Sequence, residues 1–237
     1  MKRKLILFVS VIFLMMLCVF NASAFENEFI KIDIPDAFSS MTESTIEGSA
    51  VTQWTDPESN SNVGVTIAKN SGVSYVDLSD IELSALEASV MAQLRDDVTE
   101  ALKAYSVGYS IIDSECRSYE INGIKGVEIL YNSEYSYTDG STLKAKNYMY
   151  LFASSENAVT ISATINSEDK LHFVDEMMNT FEFKEEVYVV AEDEKWFDSY
   201  ELVKYTIVGA ALGGAVGLFI AKKKKQKQNS DNNLPIA

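Results

Sequence analysis

Leu143-Lys144-Ala145-Lys146-Asn147-Tyr148-Met149-Tyr150-Leu151-Phe152, then Ser154-Ser155-Glu156-Asn157, then Val159-Thr160-Ile161-Ser162-Ala163-Thr164-Ile165 decide the fold. Both long runs are rich in β-branched and aromatic residues, and neither repeats its apolar residues at helical spacing. The polar tetrad between them is turn chemistry. The segment therefore reads as two long strands in an antiparallel pair. Directly afterwards the period changes: Leu171, Val174, Met178 and Phe181 fall on one helical face, over residues 168–181. Asn166 or Ser167 stands where an N-cap belongs.

The same alternation appears upstream. Ile111 to Ile121 leads into Asn122-Gly123, a strong short hairpin signal, and Ile124 to Tyr131 returns. Asp139-Gly140 marks a further turn. Before these strands comes a long helix over residues 79–105. Ser79 followed by Glu82 is a capping box. Leu83, Leu86, Val90, Leu94, Val98, Leu102 and Tyr105 make its apolar stripe. Earlier still, Phe29-Ile30-Lys31-Ile32-Asp33-Ile34-Pro35 alternates strictly. Residues 50–55 and 62–67 read as two more strands around the polar turn Asp56-Pro57-Glu58-Ser59-Asn60-Ser61. The expected order is β-β-β-α-β-β-β-β-α. Hairpin connections make it an α+β domain, a largely antiparallel sheet with packed helices.

These elements resemble the PsbP-like family, which includes many exported bacterial proteins. The resemblance rests on the opening residues 29–35, the long mid-chain helix, and the closing strand at 158–165 with its following helix and Phe183. It covers about residues 27–184. It implies an antiparallel sheet between helices, acting as a non-catalytic accessory or binding domain. It transfers no functional residue.

Outside this domain the chain is apolar at both extremities. Lys2, Arg3 and Lys4 precede an apolar run at residues 5–20, and Ala22-Ser23-Ala24 supplies small residues for a signal peptidase. The reading is a signal peptide, residues 1–24, cleaved before Phe25; a retained N-terminal anchor is the alternative. Residues 205–221 carry no charge. At about 1.5 Å per residue they span roughly 26 Å, and flanking Lys204 and Lys222 can snorkel. Lys222, Lys223, Lys224, Lys225 and Lys227 follow, which marks the cytoplasmic side. The expectation is one C-terminal transmembrane helix, residues 203–221, with a basic tail at 222–237. The domain at 25–184 then lies outside, on a juxtamembrane stalk at 185–202. Trp196, Phe197, Tyr200, Lys222 and Lys223 read as membrane-interface anchors. Gly209, Gly213 and Gly217 form a stripe on which two helices can pack closely. That predicts a homo-oligomer or a membrane-protein partner.

Composition narrows the chemistry. The chain has 237 residues, 20 Lys+Arg against 35 Asp+Glu, and a formal charge of −15. Residues 25–200 hold 11 of those cations and 33 of the acids, while the tail is basic. Such an exterior excludes nucleic acid as the default partner. Cleavage of the leader removes Cys18 and leaves Cys116 alone, and residues 25–237 hold no Asn-x-Ser/Thr acceptor. A surface domain with neither disulfides nor glycans points to a bacterium. His172 is the only His and reads as structural. Asp56, Glu58, Asn60 and Asn62 alternate in a way similar to a calcium loop, but Ser61 and Ile67 replace its glycine and closing glutamate, so the reading is a polar turn.

No catalytic motif and no cofactor or metal set emerges. The expected function is a membrane-anchored, non-catalytic extracellular binding or accessory module with one cell-membrane span and a cytoplasmic C-terminus. The alternative is an envelope-acting hydrolase using a carboxylate pair that the sequence does not identify.

Overall fold

The structure is a computed structural model that describes residues 23–46 and 48–189. Strands β1 (Ser23–Glu26) and β2 (Ile30–Ile34) form a hairpin, and β3 (Ser40–Ile46), β4 (Ser49–Thr55) and β5 (Asn62–Lys69) form a meander. Helix α1 (Asp80–Lys103) follows, then β6 (Gly108–Ile121), β7 (Ile124–Ser136), β8 (Thr142–Ala153) and β9 (Asn157–Ile165). A 3₁₀ turn (Glu168–Lys170), helix α2 (His172–Asn179) and β10 (Glu182–Phe183) follow β9.

Two sheets result, with antiparallel pairing throughout. The large one has the order β3-β4-β5-β9-β8-β7-β6, and the small one β1-β2-β10. Strands β8 and β9 are buried on both faces over most of their length, which explains their near-continuous apolar runs. On one face, Leu86, Val90, Leu94 and Val98 of α1 cover Val127, Ile129, Met149 and Leu151. On the other, Ile30, Ile32 and Ile34 of β2 and Val174, Met177 and Met178 of α2 cover Val65, Tyr150, Phe152 and Ile161. The domain is thus layered: α1, the large sheet, then the small sheet with α2.

Local chemistry sets the boundaries. Ser79 caps α1 in a complete capping box with Glu82, and Ser106 at φ 54° turns the chain into β6. Asn122 and Gly123 both take positive φ, 52° and 78°, so β6 and β7 pair from Ile121 with Ile124. Gly126 allows β7 to pass under Phe152. A Cβ there would lie 2.4 Å from the Leu151 carbonyl oxygen and 2.6 Å from the Phe152 ring.

Four elements differ from the sequence reading. Strand β3 was not expected: it is polar and exposed, and it forms through backbone pairing with β4 rather than by burying a face. Ser23 and Ala24, assigned to the leader, pair with Ile34 and Asp33; cutting before Phe25 would retain the Phe25–Ile32 and Glu26–Lys31 pairs. The second helix is shorter than residues 168–181, because its first turn is 3₁₀ and has no side-chain cap. Val187, assigned to the stalk at 185–202, makes one isolated bridge to Ser154 of the domain.

Among the described residues, no helix is long and apolar enough to cross a membrane. The segment at 203–221, with Gly209, Gly213 and Gly217, lies outside the described residues. So do Trp196, Phe197, Tyr200, Lys222, Lys223 and most of the leader.

Candidate functional site: a polar groove between α2 and β6–β8

Register places a strip of polar residues on the α2 side of the large sheet. Asp113 pairs with Asn132, which pairs with Lys146; Arg117 pairs with Glu128, which pairs with Tyr150. Residues two apart on one strand share a face, so Asp113, Glu115, Arg117 and Tyr119 line up on β6. Asn132, Leu130 and Glu128 do so on β7, and Lys144, Lys146, Tyr148 and Tyr150 on β8. The wall opposite is the 3₁₀ turn and α2.

One end of this groove is a cavity of about 500 Å³, bounded by Asp113, Asn132, Lys146, Asn166, Glu168 and Leu171 among others. Asp113, Lys146 and Glu168 are exposed, so the cavity opens to solvent. Asn132 donates its amide to Asp113 Oδ1 at 2.7 Å, and Lys146 Nζ sits 5.4 Å from the centre of the Tyr148 ring. Asn166 is held by its backbone N–H, which donates to Ser61 Oγ at 3.0 Å, and by its side-chain amide, which donates to the Asn60 carbonyl at 2.8 Å. Its Oδ1 is buried without a partner. Ammonium donors and carboxylate acceptors therefore line the same cavity. That lining suits a polar ligand able to donate as well as accept.

The other end is closed by its own pairs. Glu128 is 3% exposed, and Arg117 Nε donates to its Oε2. Burial and the Glu128 charge push the Tyr150 phenol far up, and Tyr150 hydrogen-bonds that carboxylate. Burial, then Glu128 and Asp175, push Tyr119 up to about 12. Both phenols stay protonated at neutral pH, and Tyr150 donates to Glu128. Glu128 is thereby engaged on both sides. Asp175 is exposed on α2.

The alternating acids near Asp56 form a β4–β5 turn, as expected. Asp56 Oδ2 accepts from Lys170 Nζ at 2.6 Å, while Glu58 N–H donates to Oδ1 at 2.9 Å. The lysine ammonium occupies the position a cation would take, and Glu58 points to solvent with 88% of its side chain exposed. His172 is exposed at the start of α2, its ring against Phe173. Among the described residues, no group of three or more His, Cys, Asp or Glu could hold a metal ion.

Cys116 packs against the α1 core. Burial, with Glu87 nearby, pushes its thiol up to about 12. Against an ordinary value of 9.0, this lowers the thiolate fraction at pH 8 about a thousandfold. Iodoacetamide should therefore modify Cys116 about a thousandfold more slowly in the native protein than in urea. Site-resolved mass spectrometry reads this directly, and equal rates would refute the burial argument.

Sequence reasoning identified several of these residues as strand or turn positions but not as neighbours. The exposed polar residues on alternate positions of β6, β7 and β8 were the available signal.

No family profile and no curated protein matches the chain. Several solved structures are similar in arrangement. The solution structure of cyanobacterial PsbP (CyanoP) from Synechocystis sp. PCC 6803 is 15% identical, with a TM-score of 0.45, over 70% of this chain and 95% of that one. A Bacteroides thetaiotaomicron protein is 13% identical at a TM-score of 0.35, over 73% of this chain and half of that one. The Saccharomyces cerevisiae Ran-binding protein Mog1p is 10% identical at 0.34, over 66% and 90% of the two chains. This chain has a mixed α+β fold built on antiparallel sheets.

Proposed function

We propose that this protein is a membrane-anchored binding or accessory module of a bacterial surface, with a PsbP-like domain outside the cell and a polar groove as its binding site. The groove carries the reading: an open cavity of about 500 Å³ lined by charges of both signs. The buried charges nearby are satisfied by each other, which favours holding a ligand over transforming one. The leader, the apolar segment at 203–221 and the lysines after it support export and a single span. The Gly209, Gly213 and Gly217 stripe supplies a face for helix pairing within that span.

Topology provides the test. Protease added to intact cells should remove the acidic domain, and alkaline carbonate should leave the full chain in the membrane pellet. A spared domain or carbonate extraction would refute the anchored reading. At the groove, Lys146→Glu should release whatever co-isolates with the full-length protein in mild detergent, with the thermal midpoint unchanged because Lys146 is exposed.

A further inference from the structure

The two edges of the large sheet are built differently. Edge strand β6 is bulged between Ile111 and Asp113, and it carries Asp113, Glu115, Arg117 and Glu120. Bulges and charges are devices that keep a strand edge from accepting another chain. Edge strand β3 is far less protected. It pairs with β4 through seven consecutive residues without a register shift, contains no proline, and bears one charge, Glu43. Among the described residues, nothing pairs with its outer side.

A cavity of about 540 Å³ lies beside this edge, on the face that carries β1. Glu43 and Thr45 form its rim, Thr52 and Ile67 its floor, and Phe25 and Glu26 its far wall. Glu26 is occupied by Lys184 Nζ at 2.7 Å. No cation among the described residues pairs with Glu43. A strand added along β3 would set alternate side chains over this cavity. The residue opposite Glu43 would complete a cross-strand ion pair if basic, and the residue opposite Met41, which is 56% exposed, would cover it if apolar.

The geometry points to β3 as a docking edge for an extended basic segment of a partner protein, added as an eighth strand with a Lys or Arg over the Glu43 cavity. A second copy of this chain fits poorly. Glu43 is the central residue of Ser40–Ile46, so full antiparallel self-pairing sets Glu43 against itself. The strong excess of acids on each domain opposes the same approach and favours a basic strand. This edge is separate from the α2 groove and does not depend on it.

The test uses the full-length protein in detergent micelles and a fluorescent heptapeptide, Thr-Val-Thr-Lys-Thr-Val-Thr, in which Thr alternates with Val or Lys so that Val and Lys two positions apart face Met41 and Glu43 together. Its control has the same charge but carries proline at alternate positions, so it cannot pair as a strand. The alternating peptide should bind and the proline peptide should not. Hydrogen exchange should show new protection of β3 amides. Replacing an attractive cross-strand pair with a repulsive one, Glu43→Lys should weaken binding roughly tenfold. Equal binding of the two peptides would reduce the effect to charge attraction alone and overturn the proposal. Protection confined to residues 166–171 would place the peptide in the groove and overturn it. So would β3 protection in a dimer formed without peptide.

Discussion

Lys170→Ala should cost about 3 kcal/mol of stability, the lower end of the roughly 3–5 kcal/mol seen when one partner of a buried ion pair is removed. Asp56 is the reason. It is 1% exposed at the base of the β4–β5 turn, and the lysine reaches it from the 3₁₀ turn more than a hundred residues later. Removing the ammonium leaves a buried carboxylate with only the Ser59 hydroxyl and the Glu58 N–H. Urea denaturation of the two proteins measures the loss. Lys170→Met combined with Asp56→Asn should recover part of it, because the residual turn bonds no longer hold a charge. If the single variant unfolds with the wild type, the pair is ornamental.

The same pair fixes an acid limit. Burial pushes the Asp56 carboxyl up, but the hydrogen bonds from Lys170, Ser59 and Glu58 outweigh it and hold the carboxyl below its ordinary 3.8. A carboxyl with a lowered folded-state pKa stabilises the fold in full above its unfolded value and loses that contribution as pH falls through the folded value. The Lys170 contribution should therefore begin to fall only as pH drops through the ordinary value of 3.8, and wild type and Lys170→Ala should converge once pH is below the lowered folded value.

Phe152→Ala should be at least as damaging, about 3–5 kcal/mol, or roughly 10 °C in the thermal midpoint. Phe152 is fully buried on β8 and stacks on Phe181, with ring centres 4.7 Å apart. Tyr119 and Phe183 complete its surroundings at 6.4 Å each. Gly126 below it leaves no side chain that could swing into the vacated space. The ring also fastens β10, since Phe181 immediately precedes that strand and Phe183 belongs to it. Hydrogen exchange should show β10 amides opening before those of β9 in the variant. Phe152→Leu should restore about half of the stability.

How legible this was depended on the physics of each part. The β6–β7 hairpin and the α1 cap are local events: Asn122-Gly123 and Ser79 with Glu82 act within a few residues, and both formed as read. Strand β3 is different. Ser40-Met41-Thr42-Glu43-Ser44-Thr45 are all exposed, so no buried face gives the strand a periodicity, and only the existing β4 gives it partners. The α2 helix lost its first turn because the expected Ser167 cap makes no such bond there. The groove was invisible for another reason. Arg117, Glu128 and Tyr150 meet through the registers of three strands, and Lys170 meets Asp56 across the whole domain. Spacing along a chain carries no trace of either encounter.

Trp54 offers a last consequence of the layered arrangement. It is 3% exposed, and its indole meets the Phe25 ring edge-on at 5.1 Å between centres. Phe25 belongs to β1, the first ribbon of the small sheet. The chain's other indole, Trp196, lies on the predicted stalk. Ultraviolet emission of the protein is thus a native gauge of whether the N-terminal ribbon is seated: blue-shifted when Phe25 covers Trp54, red-shifted when that ribbon lifts away.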